Sequence, residues 1–293
     1  MMKIRRLYNN IKNRASCIVP RPHSGASIQS QYLKERIPWS PGYSEYKYDF
    51  IGKVLNSLGI EDFRRGVLPK GYGYRLDERA VEYPWLFSRL KDGEITILDA
   101  GSVLNFPQIL CSEQLKKKRL YICTLHYEGT YPTTSSPSYI YEDLRDTCFK
   151  DGFFDAICSL STIEHIGMDN TMLYTDDLDK KENNSRAYVD YLKECSRILK
   201  KDGTLYLSMP YGKYTNFGWF QIFNREMVQD VIDTFKPAMH SLTYFRYTND
   251  QWMFSTEVAC GDGNYFDINT NHQFEKDYLA ASRCVVCLQL TKG

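Results

Sequence analysis

Ile95-Thr96-Ile97-Leu98-Asp99-Ala100-Gly101-Ser102-Val103-Leu104-Asn105-Phe106 is the stretch on which the fold turns. Ile95, Ile97 and Leu98 make a short, partly β-branched apolar run, as expected for a strand buried on both faces of a parallel sheet. The run ends in Asp99-Ala100-Gly101. A carboxylate followed by glycine at the carboxyl end of a strand marks the place where open α/β sheets bind ligands. Gly101 lets the backbone approach a ligand and take positive φ. The plain alternative is a buried strand followed by a tight turn, and the rest of the chain has to decide between the two.

Downstream of this stretch, strand and helix patterns alternate. Residues 118–125, 138–142 and 153–161 read as strands. Residues 185–200 read as a helix with Tyr188, Tyr191, Leu192, Cys195, Ile198 and Leu199 on one face, closed by Lys200, Lys201 and Asp202-Gly203. A strand over Thr204–Met209 ends at Pro210, a helix follows over 224–235, and strands follow over 240–248 and 284–291. Alternation of this kind predicts a mostly parallel sheet covered by helices on both faces, with right-handed crossovers.

Upstream, Ile4, Leu7, Tyr8 and Ile11 fall at helical spacing among Lys3, Arg5, Arg6, Lys12 and Arg14. A basic amphipathic helix over 1–14 packs on its own domain, or docks on a partner or an anionic membrane surface. Residues 16–30 read as a linker. Residues 43–65 read as a helix with Gly59 as a stop, and 76–91 as a helix interrupted or begun again near Pro84. The expected organisation is a basic helix and linker over 1–30, a helical extension or cap over 31–94, and a main domain over 95–293.

Composition narrows the function. The 293 residues carry 37 basic and 36 acidic side chains, so no global field favours nucleic acid. There are 23 tyrosines, 15 phenylalanines and 4 tryptophans, which suits stacking on sugars or flat ligands and also suits plain cores. The nine cysteines are scattered and odd in number, pointing to unpaired thiols in a reducing cytoplasm. Cys284-Val285-Val286-Cys287 has C-x-x-C spacing but lies in an apolar, strand-like run, so its two thiols should face opposite sides. No run of 18 apolar residues exists and the first residues lack an apolar core of the secretory kind, so neither a transmembrane segment nor a signal peptide is expected.

Three further stretches align with the first: Asp143-Leu144-Arg145-Asp146; Phe154-Asp155-Ala156-Ile157-Cys158-Ser159-Leu160-Ser161-Thr162-Ile163-Glu164-His165-Ile166; and Ile198-Leu199-Lys200-Lys201-Asp202-Gly203 running into Thr204-Leu205-Tyr206-Leu207. In order and spacing over 95–210, the four together resemble the class I S-adenosylmethionine-dependent methyltransferases. The run Glu78-Arg79 to Trp85 and the Ser-Thr-Ile-Glu-His-Ile-Gly stretch resemble bacterial members associated with surface-polysaccharide biosynthesis. The resemblance implies a Rossmann-like, seven-stranded sheet and S-adenosyl-L-methionine as cofactor. It implies that Gly101 and Ser102 approach the methionyl part, that Asp99 anchors the site, that Asp143 and Leu144 hold the adenine, and that Leu160 to Thr162, Ser161 included, line the floor, with Glu164 facing the cofactor.

Two departures accompany it. Gly101 stands alone in its loop. At the end of the second strand, where the family carries an acid for the ribose hydroxyls, this chain has Thr124, so that either binding is weaker, or Glu128 or His126 reaches in, or the pocket is degenerate. A hydrogen bond to a charged group is worth about 1.5–3 kcal/mol against about 1 for a neutral one.

Methyl transfer from a sulfonium needs mainly positioning, plus a base where the acceptor is a hydroxyl. His165 is the candidate base, its alternative role being a helix-start residue bonded to backbone. Glu164, His165 and Asp169 also form a conceivable metal set, although clustered loop acids are more often simply solvated, and no metal is assigned. The long acidic loop 167–186 reads as an acceptor-side lid, and Tyr211, Tyr214, Asn216, Trp219 and Phe220 as acceptor-facing. The expected activity is O-methylation of a sugar, glycan or other small polar acceptor. The alternative is a catalytically degenerate descendant serving as a partner of another enzyme.

Overall fold

The computed structural model describes residues 25–57, 59–130, 137–175 and 177–293. The helix expected over 1–14 lies outside the described residues. Eight strands form the main sheet: β1 Ile95–Ala100, β2 Lys118–Thr124, β3 Ser138–Tyr141, β4 Phe154–Leu160, β5 Leu199–Pro210, β6 Met239–Thr248, β7 Gln251–Ser255 and β8 Cys284–Thr291. Their order is β3-β2-β1-β4-β5-β8-β6-β7. The first five are mutually parallel, and β8 runs antiparallel between β5 and β6. The architecture is thus α/β, Rossmann-like and mostly parallel, with eight strands where seven were expected. The eighth, β7, pairs only with β6 as an edge hairpin. Its short, mixed run Gln-Trp-Met-Phe-Ser gives no clear alternation, and the pattern alone misses it.

The two-residue period of the strands sorts side chains to two cores. Ile97 and Cys158 face one, and Leu98 and Ile157 face the other. Cys287 belongs to the first core and Cys284 to the second, so the C-x-x-C thiols do face opposite sides.

One face of the sheet is covered by the early helices α1 Gly25–Glu35, α2 Tyr43–Leu55, α3 Gly59–Arg65 and α4 Arg79–Arg89, followed by the short α5 Pro107–Leu110. Residues 32–90 share a single hydrophobic core with the strands, so the extension is a layer of the fold. The linker expected up to residue 30 is instead helical from Gly25. The stop expected at Gly59 separates α2 from α3, with Gly59 opening the second helix. Pro84 sits inside α4. Lacking an N–H, it leaves the Ala80 carbonyl without its helical donor, and the Tyr72 hydroxyl donates to that carbonyl at 2.7 Å.

The opposite face carries, after the short α6 Thr171–Tyr174, helices α7 Tyr188–Ile198 and α8 Arg225–Phe235. The Asn224 side chain caps α8 by accepting from the Met227 amide at 3.0 Å. Continuous pairing of β4 with β5 begins at Ala156–Thr204, beyond a register shift and the left-handed Asp202. The carboxyl ends of β1, β2, β4 and β5 therefore open on the same edge, the expected place for a ligand.

Candidate active site

The turn after β1 is built by Asp99. Buried completely, it accepts from the Val103 amide at 3.0 Å and the Leu104 amide at 2.8 Å. It lines neither cavity at the strand ends and acts by shaping the loop. Gly101 has φ +105, and a Cβ there would stand 2.4 Å from Thr162 Oγ1. Glycine is required because the β4-end loop packs directly on it. Ser102 and Ser161 also hold left-handed backbone, at φ 60 and φ 41. Strained residues at the ends of two adjacent strands mark a site whose surroundings enforce its geometry.

Two cavities meet here. The larger, about 280 Å³, is bounded by Gly101, Ser102, Ser161, Thr162, Glu164 and His165 from the strand ends. Trp39, Lys47, Tyr48 and Glu78 wall it from the early helices, and Trp219, Tyr265 and Asp267 from the later loops. The smaller, about 60 Å³, is lined by Gly101, Thr124, Asp143, Leu144, Arg145, His165 and Glu182. Gly101, Thr162, His165 and Tyr174 belong to both.

His165 follows β4 in a single 3-10 turn. Its Nδ1 lies 2.9 Å from the Trp219 carbonyl. A carbonyl can only accept, so the proton sits on Nδ1 and Nε2 keeps its lone pair. Burial, with the Arg79 charge adding to it against the Trp219 hydrogen bond, pushes the imidazole down to about 4. His165 is therefore neutral at neutral pH. The Trp219 and Phe220 rings pack against it at 5.1 and 5.9 Å.

Glu164 is 1% exposed and lines the larger cavity, and its Oε2 has no hydrogen-bond partner. Burial drives its carboxyl well above the usual range. Glu78 is raised to about 7, first by burial and then by the charges of Asp77 and Glu82. Its Oε2 accepts from the Ser282 amide. Asp77 is held by Lys47 at 2.5 Å and by the Tyr43 hydroxyl at 3.0 Å.

Glu82 ties this wall to the sheet. Fully buried, it accepts from the Ser161 and Ser208 hydroxyls at 2.6 Å each and pairs with Arg79 at 2.7 Å. Arg79 also donates to the Leu160 carbonyl at 3.0 Å. Helix α4 thereby fixes the ends of β4 and β5 from across the core.

Around the smaller cavity the groups are more exposed. Arg145 donates to both Asp143 oxygens and to both Glu182 oxygens. Burial raises Asp143, but the hydrogen bonds and charge of Arg145 outweigh it and hold the carboxyl below its ordinary value. Glu182 comes from the loop 167–186, so this loop covers the smaller cavity, not only the acceptor side as expected. Thr124 Oγ1 lies 3.4 Å from Glu128 Oε1, whereas His126 is exposed and bonds to the Tyr127 carbonyl.

Among the described residues no group of three or more His, Cys, Asp or Glu is arranged to hold a metal. Asp169 accepts instead from the Thr171 hydroxyl and pairs with Lys181. Of the five acceptor-facing residues expected after β5, only Trp219 lines a cavity. Tyr211 and Phe220 are buried and Tyr214 is exposed. Little in the sequence announces the walls formed by Trp39, Lys47, Asp77 and residues 265–269. The one available signal was the run Asp77-Glu78-Arg79 ahead of an apolar helix: three charges that end up against the cavity.

Residues 117–207 match a family model described as a methyltransferase domain. The match spans β2 to β5 and includes Asp143, Leu144, Ser161, Glu164 and His165. No curated protein matches the chain. Among solved structures, a 1,6-didemethyltoxoflavin N1-methyltransferase of Burkholderia thailandensis, crystallised with S-adenosylhomocysteine, superposes with TM-score 0.40 at 12% identity. It covers 69% of this chain and 72% of its own. A carbon methyltransferase, CurJ, gives 0.44 at 12% over 92% and 70%. An arsenic(III) S-adenosylmethionine methyltransferase of Chlamydomonas reinhardtii gives 0.40 at 11% over 68% and 64%.

Proposed function

We propose that the chain is an S-adenosylmethionine-dependent methyltransferase acting on a small polar acceptor, with a sugar or glycan hydroxyl as the favoured target. The observation that carries this is the junction of the two cavities at Gly101, Thr162 and His165. A two-part ligand lying along the strand ends would present its reacting centre at that junction.

The residues fit the cofactor. The close packing at Gly101 leaves backbone for the methionyl part, Asp143 and Leu144 stand beside the smaller cavity, and Glu164 leaves one carboxyl oxygen unpartnered at the larger one. When bound, S-adenosylmethionine supplies a methyl group on a cationic sulfur and departs as a neutral thioether. His165 Nε2 takes the proton that the acceptor hydroxyl releases, while the Trp219 carbonyl holds the imidazole's orientation. Trp39, Tyr48 and Trp219 offer faces for a sugar ring, and Asp267 and Glu78 offer oxygens to its hydroxyls. The non-catalytic alternative is not favoured, since both cavities and the anchored histidine are in place. A role in surface-polysaccharide biosynthesis in the cytoplasm, with residues 1–14 docking on a membrane or a partner, belongs to the same proposal.

The test is transfer of labelled methyl from S-adenosylmethionine to a panel of nucleotide sugars, glycans, phenols, amines and carboxylates. Labelled sugar with a base-stable ether linkage supports the proposal. Labelling of amines or carboxylates alone would move the acceptor to another class, and absence of labelling across the panel would count against transferase activity.

A further inference from the structure

We infer that the acceptor carries an amino group beside its reacting hydroxyl, and that Glu164 seats this group as an ammonium in the larger cavity. An amino sugar is the substrate class this describes. The inference rests on the S-adenosylmethionine reading above and narrows its acceptor.

Carboxylates outnumber cations in the lining of the larger cavity. Asp77, Glu78, Glu164 and Asp267 face Lys47 and Arg79. Both cations are already engaged: Lys47 pairs with Asp77 at 2.5 Å, and Arg79 pairs at 2.7 Å with Glu82, which does not line the cavity. Asp267 is satisfied within its own loop, accepting from the Asn269 amide at 2.9 Å and the Asn269 side chain at 2.6 Å. Glu78 accepts from the Ser282 amide at 3.2 Å. Glu164 differs from these. It is 1% exposed, and its Oε2 has no hydrogen-bond partner. A buried oxygen in that state has lost its water without compensation, and a donor on the ligand restores the bond.

The surroundings select a positive donor over a neutral one. Burial first, then the charges of Asp77 and Glu82, raise Glu78, and burial raises Glu164. A cation in the cavity reverses both shifts, and an ammonium on a carboxylate makes a charge-assisted hydrogen bond stronger than a hydroxyl can. The aromatic wall suits the same charge: the Lys47 ammonium already lies 5.3 Å from the centres of the Trp39 and Tyr48 rings.

The position separates this group from the methyl donor. Glu164 and Glu78 line the larger cavity and do not border the smaller one. Glu164 precedes His165 in the same 3-10 turn, and both line the larger cavity. An acceptor anchored on Glu164 therefore presents a neighbouring hydroxyl to His165 Nε2. Held as an ammonium, the nitrogen has no lone pair to attack the methyl group, so the methyl goes to oxygen.

The experiment is labelled methyl transfer by the full chain to methyl glycosides of glucosamine, galactosamine and mannosamine, each beside its N-acetyl and all-hydroxyl counterpart, for wild type and E164Q. Melting temperatures and calorimetric titration with S-adenosylhomocysteine accompany it. Wild type should prefer an amino sugar to both counterparts by about tenfold in kcat/KM, with the label on oxygen. E164Q should melt near wild type and lose that preference. Wild type that treats the three forms alike, or favours the N-acetyl form, would overturn the inference while leaving the methyltransferase reading intact. So would the absence of transfer to any amino sugar by a chain that binds S-adenosylhomocysteine. E164Q with the wild-type preference would overturn the assignment of Glu164, and label on nitrogen would overturn the anchoring role. A wild-type chain that does not bind S-adenosylhomocysteine at millimolar concentration would overturn the cofactor reading itself, and this inference with it.

Discussion

The two cavities at the strand ends are built differently. The wall of the larger one is a buried network: Glu82 at 0% exposure joins α4 to β4 and β5 through Arg79, Ser161 and Ser208. The smaller one is closed by half-buried groups from loops, with Arg145 at 26% side-chain exposure bridging Asp143 and Glu182. Buried ion pairs are costly to break and surface pairs contribute little. The wall of the larger cavity is therefore a fixed template, while the smaller cavity is shaped by segments that can rearrange at small cost.

Glu82→Ala breaks the comparison at its strongest point. Removing the buried carboxylate strands Arg79 in the core and should destabilise the fold by about 3–5 kcal/mol. Denaturant unfolding checks this, and a loss under 1 kcal/mol would show the wall to be no more rigid than the loops. Next in size is His165→Ala, which should lower kcat by roughly two to four orders of magnitude with S-adenosylhomocysteine affinity held within a few-fold. Because the imidazole is pushed down to about 4, the rate should not follow a histidine titration between pH 6 and 8.

A third test uses pH. Glu78 has a folded pKa raised to about 7 from 4.5. A raised carboxyl contributes stability below its unfolded pKa and loses it as pH rises through the folded one. Glu78→Gln should therefore gain in melting temperature relative to wild type as pH increases from about 4.5 to 7. A constant difference across that window would contradict the burial assigned to Glu78. His165 acts in the opposite sense, costing stability as pH falls from 6.5 towards 4, and it does so equally in both proteins. The smallest effect belongs to the smaller cavity: Arg145→Ala should cost no more than about 1 kcal/mol in stability, with the change appearing mainly in ligand affinity.

The same division governs what the sequence made legible. Strands β1 to β5 and helices α7 and α8 were readable because each is specified locally by its apolar period; the helix stop expected at Asp202-Gly203 instead lies inside β5, which begins at Leu199. Gly101, Thr162 and His165, which line both cavities, were readable because their motifs keep a fixed order along the chain. The wall of the larger cavity was not, since it is assembled from contacts remote in sequence. Trp39 donates to the Ala280 carbonyl at 2.6 Å across 241 positions. No local pattern encodes that neighbour.

Titration of the wild-type chain with S-adenosylhomocysteine bears most directly on the central claim, that the joined cavities form a cofactor and acceptor cleft. Saturable heat for one site per chain, abolished in Gly101→Val where a side chain would collide with Thr162, is the result the account predicts. No heat at millimolar ligand, with an unchanged melting temperature, would contradict it.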